Sequence, residues 1–200
     1  MLAAFSDALR REVDAGWVNR WREFHHPVRI VPLWVGPPWD TPPAGVLTVV
    51  VDPGRAFGTG AHPTTRLGLK LMLDLPRTSL LDVGCGSGVL SIAAAKLGFA
   101  PVTGVDLEEP AVQATRANAA ANGVAVDALL LDALVGPLPP AELVIANIAL
   151  DAVSALGARI TAPRLVTSGY LAADLPEPAG YEHRERRELD GWAADLFAAC

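Results

Sequence analysis

Leu81-Asp82-Val83-Gly84-Cys85-Gly86-Ser87-Gly88-Val89-Leu90 is the stretch that decides the fold of this 200-residue chain. An apolar run, TSLL, leads into its three glycines and VLSIAAAKLG leads out, so the spacing predicts strand, tight loop and helix. A dinucleotide loop reads G-x-G-x-x-G, its third glycine permitting close helix packing beside a pyrophosphate. Here the glycines run G-x-G-x-G, and Val89 stands where that third glycine would be.

Asp82 heads the loop. A carboxylate there repels a diphosphate and accepts from an ammonium group, which makes the expected ligand a zwitterion. S-adenosylmethionine meets that requirement: it carries an ammonium and a carboxylate, lacks phosphates, and approaches the backbone closely where Gly84, Gly86 and Gly88 have no Cβ. Asp106 closes the run PVTGVD, where a strand-end carboxylate accepts from both ribose hydroxyls. Asp132, ending VDALLLD, stands at the next strand end, where it meets the adenine amino group or flanking loop, or caps a helix.

Working outward, strand and helix patterns alternate from Asp52 onward. TTRLGLKLMLDL, GVLSIAAAKLG, EEPAVQATRANAAANG and DAVSALGARI read as helices, and TSLLDVG, APVTGVDL, VDALLLD, AELVIANI and RLVTSGYL as strands. Such alternation predicts a parallel sheet covered on both faces. YEHRERREL and WAADLFAA then read as a hairpin joined by Asp190-Gly191. The expected fold is α/β, a mostly parallel Rossmann-like sheet with a C-terminal antiparallel hairpin, and this pattern resembles class I S-adenosylmethionine methyltransferases. Residues 1–51 are expected to form a small N-terminal helix and β annex: apolar residues recur every three or four positions to about residue 26, and VRIVPLWV and VLTVVVD are strand-like. Residues 52–200 are the expected cofactor-binding domain.

A net charge of −6 argues against a nucleic-acid partner. Two cysteines, Cys85 and Cys200, make no disulfide framework. No signal pattern and no apolar run of ~18 residues is present, so a cytoplasmic chain that does not enter membranes is expected. No metal cluster is expected.

A second motif precedes the core: DPGRAFGTGAHPTT, residues 52–65, a glycine-rich loop opening a helix and rich in backbone donors and hydroxyls. This string resembles the signature of the PrmA ribosomal protein methyltransferases, which trimethylate amino groups on a large-subunit ribosomal protein. LDVGCGSGVLSIAAAKLG, GVDLEEPAVQATRANAAANGV and ELVIANIAL resemble the same family, and the similarity runs from about Trp17 to the C-terminus. It implies S-adenosylmethionine contacts at Thr65, Gly84, Asp106 and Asn147, and places Phe57, Gly58, Thr59 and His62 in a loop over cofactor and substrate. Two stretches depart from the family pattern. Only a helix and a β annex precede Asp52, where members carry a recognition domain, and ITAPRLVTSGY lacks the usual Pro-Gly-Gly turn.

In the implied methyl transfer, Asn147 orients the acceptor amine through its side-chain carbonyl, which accepts from N–H without ionising. His62 is a candidate proton relay or a helix cap. ANIAL lacks the proline and aromatic pair that clamps planar acceptors, which disfavours a flat substrate. The leading expectation is a protein N-methyltransferase. An N-methyltransferase of another protein or a small molecule on the same core stays open, as does a non-catalytic cofactor-binding module, and acceptor, methylation multiplicity and oligomeric state are not fixed.

Overall fold

The computed structural model describes residues 26–52, 58 and 60–200. The helix expected before residue 26, and the site candidates Phe57 and Thr59, lie outside the described residues.

The annex stretch forms β1 (Val28–Ile30), β2 (Leu33–Gly36) and β3 (Leu47–Val50), a separate three-stranded sheet. VRIVPLWV, one β-rich run in the sequence, folds back at Val31-Pro32 into two strands, so that Ile30 opposes Leu33. β3 then pairs parallel to β2.

The main sheet contains β4 (Leu80–Val83), β5 (Val102–Asp106), β6 (Asp127–Leu130), β7 (Leu143–Asn147), β8 (Arg164–Leu171), β9 (Tyr181–Leu189) and β10 (Trp192–Ala199). Their order is β6-β5-β4-β7-β8-β10-β9, parallel through β8 and antiparallel in the final hairpin. Asp190 and Gly191 turn that hairpin with φ of 51° and 80°. Two consecutive positive φ values match the right-handed twist of the strands they join.

Among the described residues, four helices cover the sheet: α1 (Pro63–Leu73), α2 (Val89–Leu97), α3 (Glu109–Asn122) and α4 (Leu150–Gly157). α4 begins one residue before the expected stretch and ends at Gly157, where a Cβ would meet the Ala179 nitrogen at 2.6 Å. The crossing chain leaves no room for another side chain there.

Period-two alternation sorts the core into two layers. Leu80, Leu143, Ile145 and Val166 face α1 and α2, where the annex residues Leu33, Val35 and Val49 join the same cluster. Leu81, Val83, Val105, Val144 and Phe197 face the opposite side with Leu156 of α4. The annex therefore shares the core of the main sheet.

The hairpin carries one buried charge. Asp195 accepts from Arg186 Nε at 2.9 Å, Tyr170 Oη at 2.8 Å and His183 Nε2 at 2.7 Å. Burial alone would raise its pKa, but the bonds from Arg186, Tyr170 and His183 outweigh that and hold the carboxyl below its ordinary value. Truncating one partner of a buried charged network leaves the other unpaired. Asp195→Ala is therefore expected to lower unfolding free energy by about 3–5 kcal/mol in urea titrations, and a loss within about 0.5 kcal/mol, typical of a surface site, would overturn this assignment.

Candidate functional site

The glycine loop is shaped from beneath by β5 and β7. The Val105 carbonyl accepts from both Gly84 and Cys85 N–H, at 2.9 and 3.1 Å, and drags the chain sharply off the end of β4. Gly84 adopts φ 74°, and a Cβ there would sit 2.6 Å from Ile148 Cγ2. Gly88, at φ 82°, opens α2 and is held too close to Thr115 for a side chain. Gly86 N–H donates to Asp106 Oδ2 at 3.0 Å, and Glu108 N–H donates to Oδ1 at 3.0 Å. Asp106 thus clasps the loop while retaining lone pairs toward the cavity.

That cavity, about 410 Å³, is walled by Gly58, Thr65, Gly84, Gly86, Asp106 and Asn147. The volume lies in the range of small-molecule sites. A second space of about 230 Å³ adjoins it across Gly84, Asp106, Leu107 and Ile148, and extends to Asp132 and Leu134. Leu107 is 69% exposed and Leu134 39%, a pair of bared apolar side chains suited to the faces of a flat base. The sequence reading missed both, although a leucine directly after a strand-end acid in the otherwise polar run DLEEP carries the signal.

Asn147 ends β7 on the α1 face, because Leu143 and Ile145 of the same strand face that side. Its Nδ2 donates to Thr65 Oγ1 at 3.3 Å, which turns the side-chain carbonyl away from Thr65. Ser168, paired with Asn147 in register on β8, is buried, and its hydroxyl has no partner among the described residues.

Two sequence candidates, Asp82 and Gly88, lie off the cavity wall, while His62 takes the cap alternative and Asp132 borders the second space as a turn cap. Asp82 is buried under α2 and does not line the cavity: its Oδ2 accepts from Ser91 N–H at 3.0 Å and Ser91 Oγ at 2.6 Å. It braces the helix after the loop. Gly88 likewise faces Thr115, outside the cavity wall. His62 is the N-cap of α1, its Nδ1 within 2.8 Å of Thr64 Oγ1, with its ring edge-on to Trp192 at 4.7 Å. The cap geometry replaces the proton relay, and His62 is absent from the cavity wall. Asp132 Oδ1 accepts from Leu134 N–H at 2.8 Å, a turn cap at the border of the second space.

Two acids set the electrostatics around Cys85, which lines the cavity. Burial, reinforced by Asp82 and, more weakly, Asp106, pushes the Cys85 thiol up to about 12 against the opposing bond from Thr115. The thiol stays neutral, so no sulfur nucleophile competes beside an alkylating ligand. Among the described residues there is no group of three or more His, Cys, Asp or Glu placed to hold a metal ion, and no helix long and apolar enough to cross a membrane.

Comparison with known proteins adds the following. The family described as ribosomal protein L11 methyltransferase (PrmA) matches residues 3–174. A ribosomal protein L11 methyltransferase of Shewanella baltica (strain OS195) is 42% identical over 179 residues, covering 84% of this chain and 59% of the relative. One from Shewanella sp. (strain ANA-3) is 40% identical over 154 residues, 67% of this chain and 53% of the relative. The chain thus spans less than two thirds of the length of these curated relatives. Among solved structures, a ribosomal protein L11 methylase from Lactobacillus delbrueckii subsp. bulgaricus superposes with a TM-score of 0.76 at 27% identity, over 87% of this chain and 98% of that one. An RNA methyltransferase from Salinibacter ruber in complex with S-adenosyl-L-homocysteine shares the fold, with a TM-score of 0.55 at 20% identity over 66% of this chain and 89% of that one.

Asp82 supplies a pH test. Burial raises its pKa from 3.8 to about 6, against the bonds from Ser91 and with a smaller push from Asp106. The folded state therefore holds a proton that the unfolded state releases. The resulting stability is fully present below 3.8 and is lost as pH rises through about 6, a change of about 3 kcal/mol for this fully buried group. Asp82→Asn is expected to flatten the fall in urea midpoint between those limits, and a variant with an unchanged pH slope would refute the assignment.

Proposed function

This chain belongs to the ribosomal protein L11 methyltransferase (PrmA) family, and from that membership we propose that it is an S-adenosylmethionine-dependent N-methyltransferase acting on amino groups of ribosomal protein L11. The observation that carries the reading is the convergence of the glycine loop, Asp106 and Asn147 on one cavity.

The donor set fits the cofactor. Asp106 has one lone pair of Oδ2 committed to the loop and one of Oδ1 committed to Glu108 N–H, leaving the others available to a vicinal diol. The second space, with Leu107 and Leu134, suits adenine, and Asp132 stands at its border. Thr65, Gly58, Gly84 and Gly86 lie on the wall where the aminoacyl part would rest. Bound there, S-adenosylmethionine supplies an electrophilic methyl on a sulfonium, a leaving group that departs as a neutral thioether.

The chain's own residues position the acceptor. Asn147, its Nδ2 committed to Thr65, presents a carbonyl to one N–H of the incoming amine and aims the nitrogen lone pair along the carbon–sulfur axis. With the cofactor held by Asp106, Thr65 and the glycine loop, the methyl it would supply would pass to the amine that Asn147 orients, and the resulting ammonium would release a proton to solvent. Residues 52–200 form the methyltransferase domain under this reading, and residues 1–51 the helix and β annex. A cytoplasmic location and a protein acceptor follow from the same reading.

Titration calorimetry with S-adenosylmethionine, with NAD as control, tests the cofactor. Micromolar binding of the first alone is expected, and its absence would overturn the reading. Asp106→Ala removes charge-assisted bonds to both loop and ribose and is expected to weaken binding by at least about a hundredfold. Asn147→Ala is expected to leave binding within about threefold while turnover falls about a hundredfold, and unchanged turnover would remove Asn147 from the chemistry. Transfer of labelled methyl groups to ribosomal protein L11 tests the acceptor. Cofactor binding without transfer would retain the enzyme and replace its substrate.

A further inference from the structure

Helix α3 carries a polar row that neither the cofactor nor the acceptor uses. Thr115, Asn118 and Asn122 are spaced by three and four residues and share one helix face. This face is turned inward: Thr115 and Asn118 are buried. Buried polar side chains persist where their bonds are made, and here the bonds that leave the helix go to the glycine loop or to the chain leaving the annex.

Thr115 Oγ1 donates to the Gly86 carbonyl at 3.0 Å, and Asn118 Nδ2 donates to the Ser87 carbonyl at 2.9 Å. With these carbonyls drawn back onto α3, Gly86 N–H is left directed at Asp106. Asn118 Oδ1 simultaneously accepts from Asp52 N–H at 3.2 Å, the first residue of the DPGRAFGTG stretch. Ser87 Oγ in turn donates to the carbonyl of Gly58, toward the far end of that stretch. Asn122 grips β3, accepting from Val50 N–H at 2.8 Å and donating to the Val50 carbonyl at 2.6 Å, and also donates to the Asn118 carbonyl of its own helix at 2.8 Å.

We infer that Asn118 is a positioning residue for the cofactor cavity, a single amide that fixes the Ser87 carbonyl and the Asp52 N–H together and so locks the glycine loop to the chain emerging from the annex. Asn122 serves as its internal control, one helical turn away, bonded to β3 and to the Asn118 backbone carbonyl but not to the glycine loop or Asp52. The inference goes beyond the proposed function and rests on it only for the choice of S-adenosylmethionine as probe.

The test uses the full chain and two readouts. In ligand-free protein, amide exchange of Gly88, whose N–H donates to the Cys85 carbonyl at 2.7 Å, reports loop closure directly. Asn118→Ala is expected to speed that exchange about tenfold and to weaken S-adenosylmethionine binding about tenfold, the scale of one buried hydrogen bond. Asn122→Ala is expected to lower the melting temperature while leaving both readouts within about twofold. Should Asn118→Ala fail to fold, Asn118→Asp keeps an acceptor for Asp52 N–H but sets an oxygen against the Ser87 carbonyl, and the same losses are expected. Unchanged exchange in either Asn118 variant, or equal effects of Asn118→Ala and Asn122→Ala, would overturn the inference. If the wild-type chain binds no S-adenosylmethionine, the cofactor reading falls, and the exchange contrast still decides the role of Asn118.

Discussion

Everything in the site depends on the position of β4 between β5 and β7. The chain leaves β4 through α2 and α3 toward one edge of the sheet, returns to place β7 on the other side of β4, and continues through α4 on the opposite face. Crossovers that diverge in this way keep the handedness required of parallel strands, and they leave a crevice above the carboxyl ends where the direction reverses. Gly84 to Gly88, Asp106 and Asn147 all stand at ends of those three strands or in the turn just beyond them. The cavity is thus a consequence of strand order, and the side chains only decide what it accepts.

Strand parity explains why two aspartates of the same chemistry do different work. Asp82 is the third residue of a four-residue strand, flanked by Leu81 and Val83, which face the α4 side. Alternation directs its carboxylate to the other face, beneath α2, where Ser91 satisfies one oxygen and burial keeps the other dry. Asp106 is the last residue of its strand and is free to bend upward to the loop. The sequence displays both acids at strand ends near glycines and so invites a ligand-facing position for both. Counting parity from the apolar neighbours separates them, because an inward position within a strand cannot reach the crevice above it.

The larger architecture was legible because each signal had one physical meaning. Alternating apolar runs could be buried only in a two-sided parallel sheet, and Asp190-Gly191 is one of few dipeptides that tolerate two positive φ values. Other features depended on tertiary contacts. His62 reads in sequence more as a cap than as a proton relay, and the nearby hydroxyl of Thr64 and ring of Trp192 give it the cap geometry. VRIVPLWV folds back on itself because the turn at Val31-Pro32 lets Leu33 and Val35 enter a core that one straight strand could not fill. The threonine and asparagines of α3 sit in an alanine-rich amphipathic run and read as ordinary helix surface. Only the approach of the glycine loop and β3 makes that face an interior one.

Charge is distributed unevenly along the cavity, and the distribution suits an exchange between a cation and a neutral amine. Asp106 and Glu108 line the cavity beside the glycine loop, which runs on into the apolar Val89 and Leu90 and has Ile148 packed against Gly84, while Asn147 and Thr65 contribute an amide and a hydroxyl. Cys85, the remaining titratable group among the described lining residues, is held as a neutral thiol. Under the proposed reading, a cationic ligand is stabilised beside Asp106, and a protonated amine arriving at Asn147 meets amide, hydroxyl and hydrocarbon, with no anion beyond Asp106 and Glu108 among the described lining residues. Burial there would favour the uncharged amine, the form whose lone pair is available. An acid in place of Asn147 would hold that amine as ammonium, so under this reading a neutral side chain at that strand end favours transfer where a charged one would oppose it.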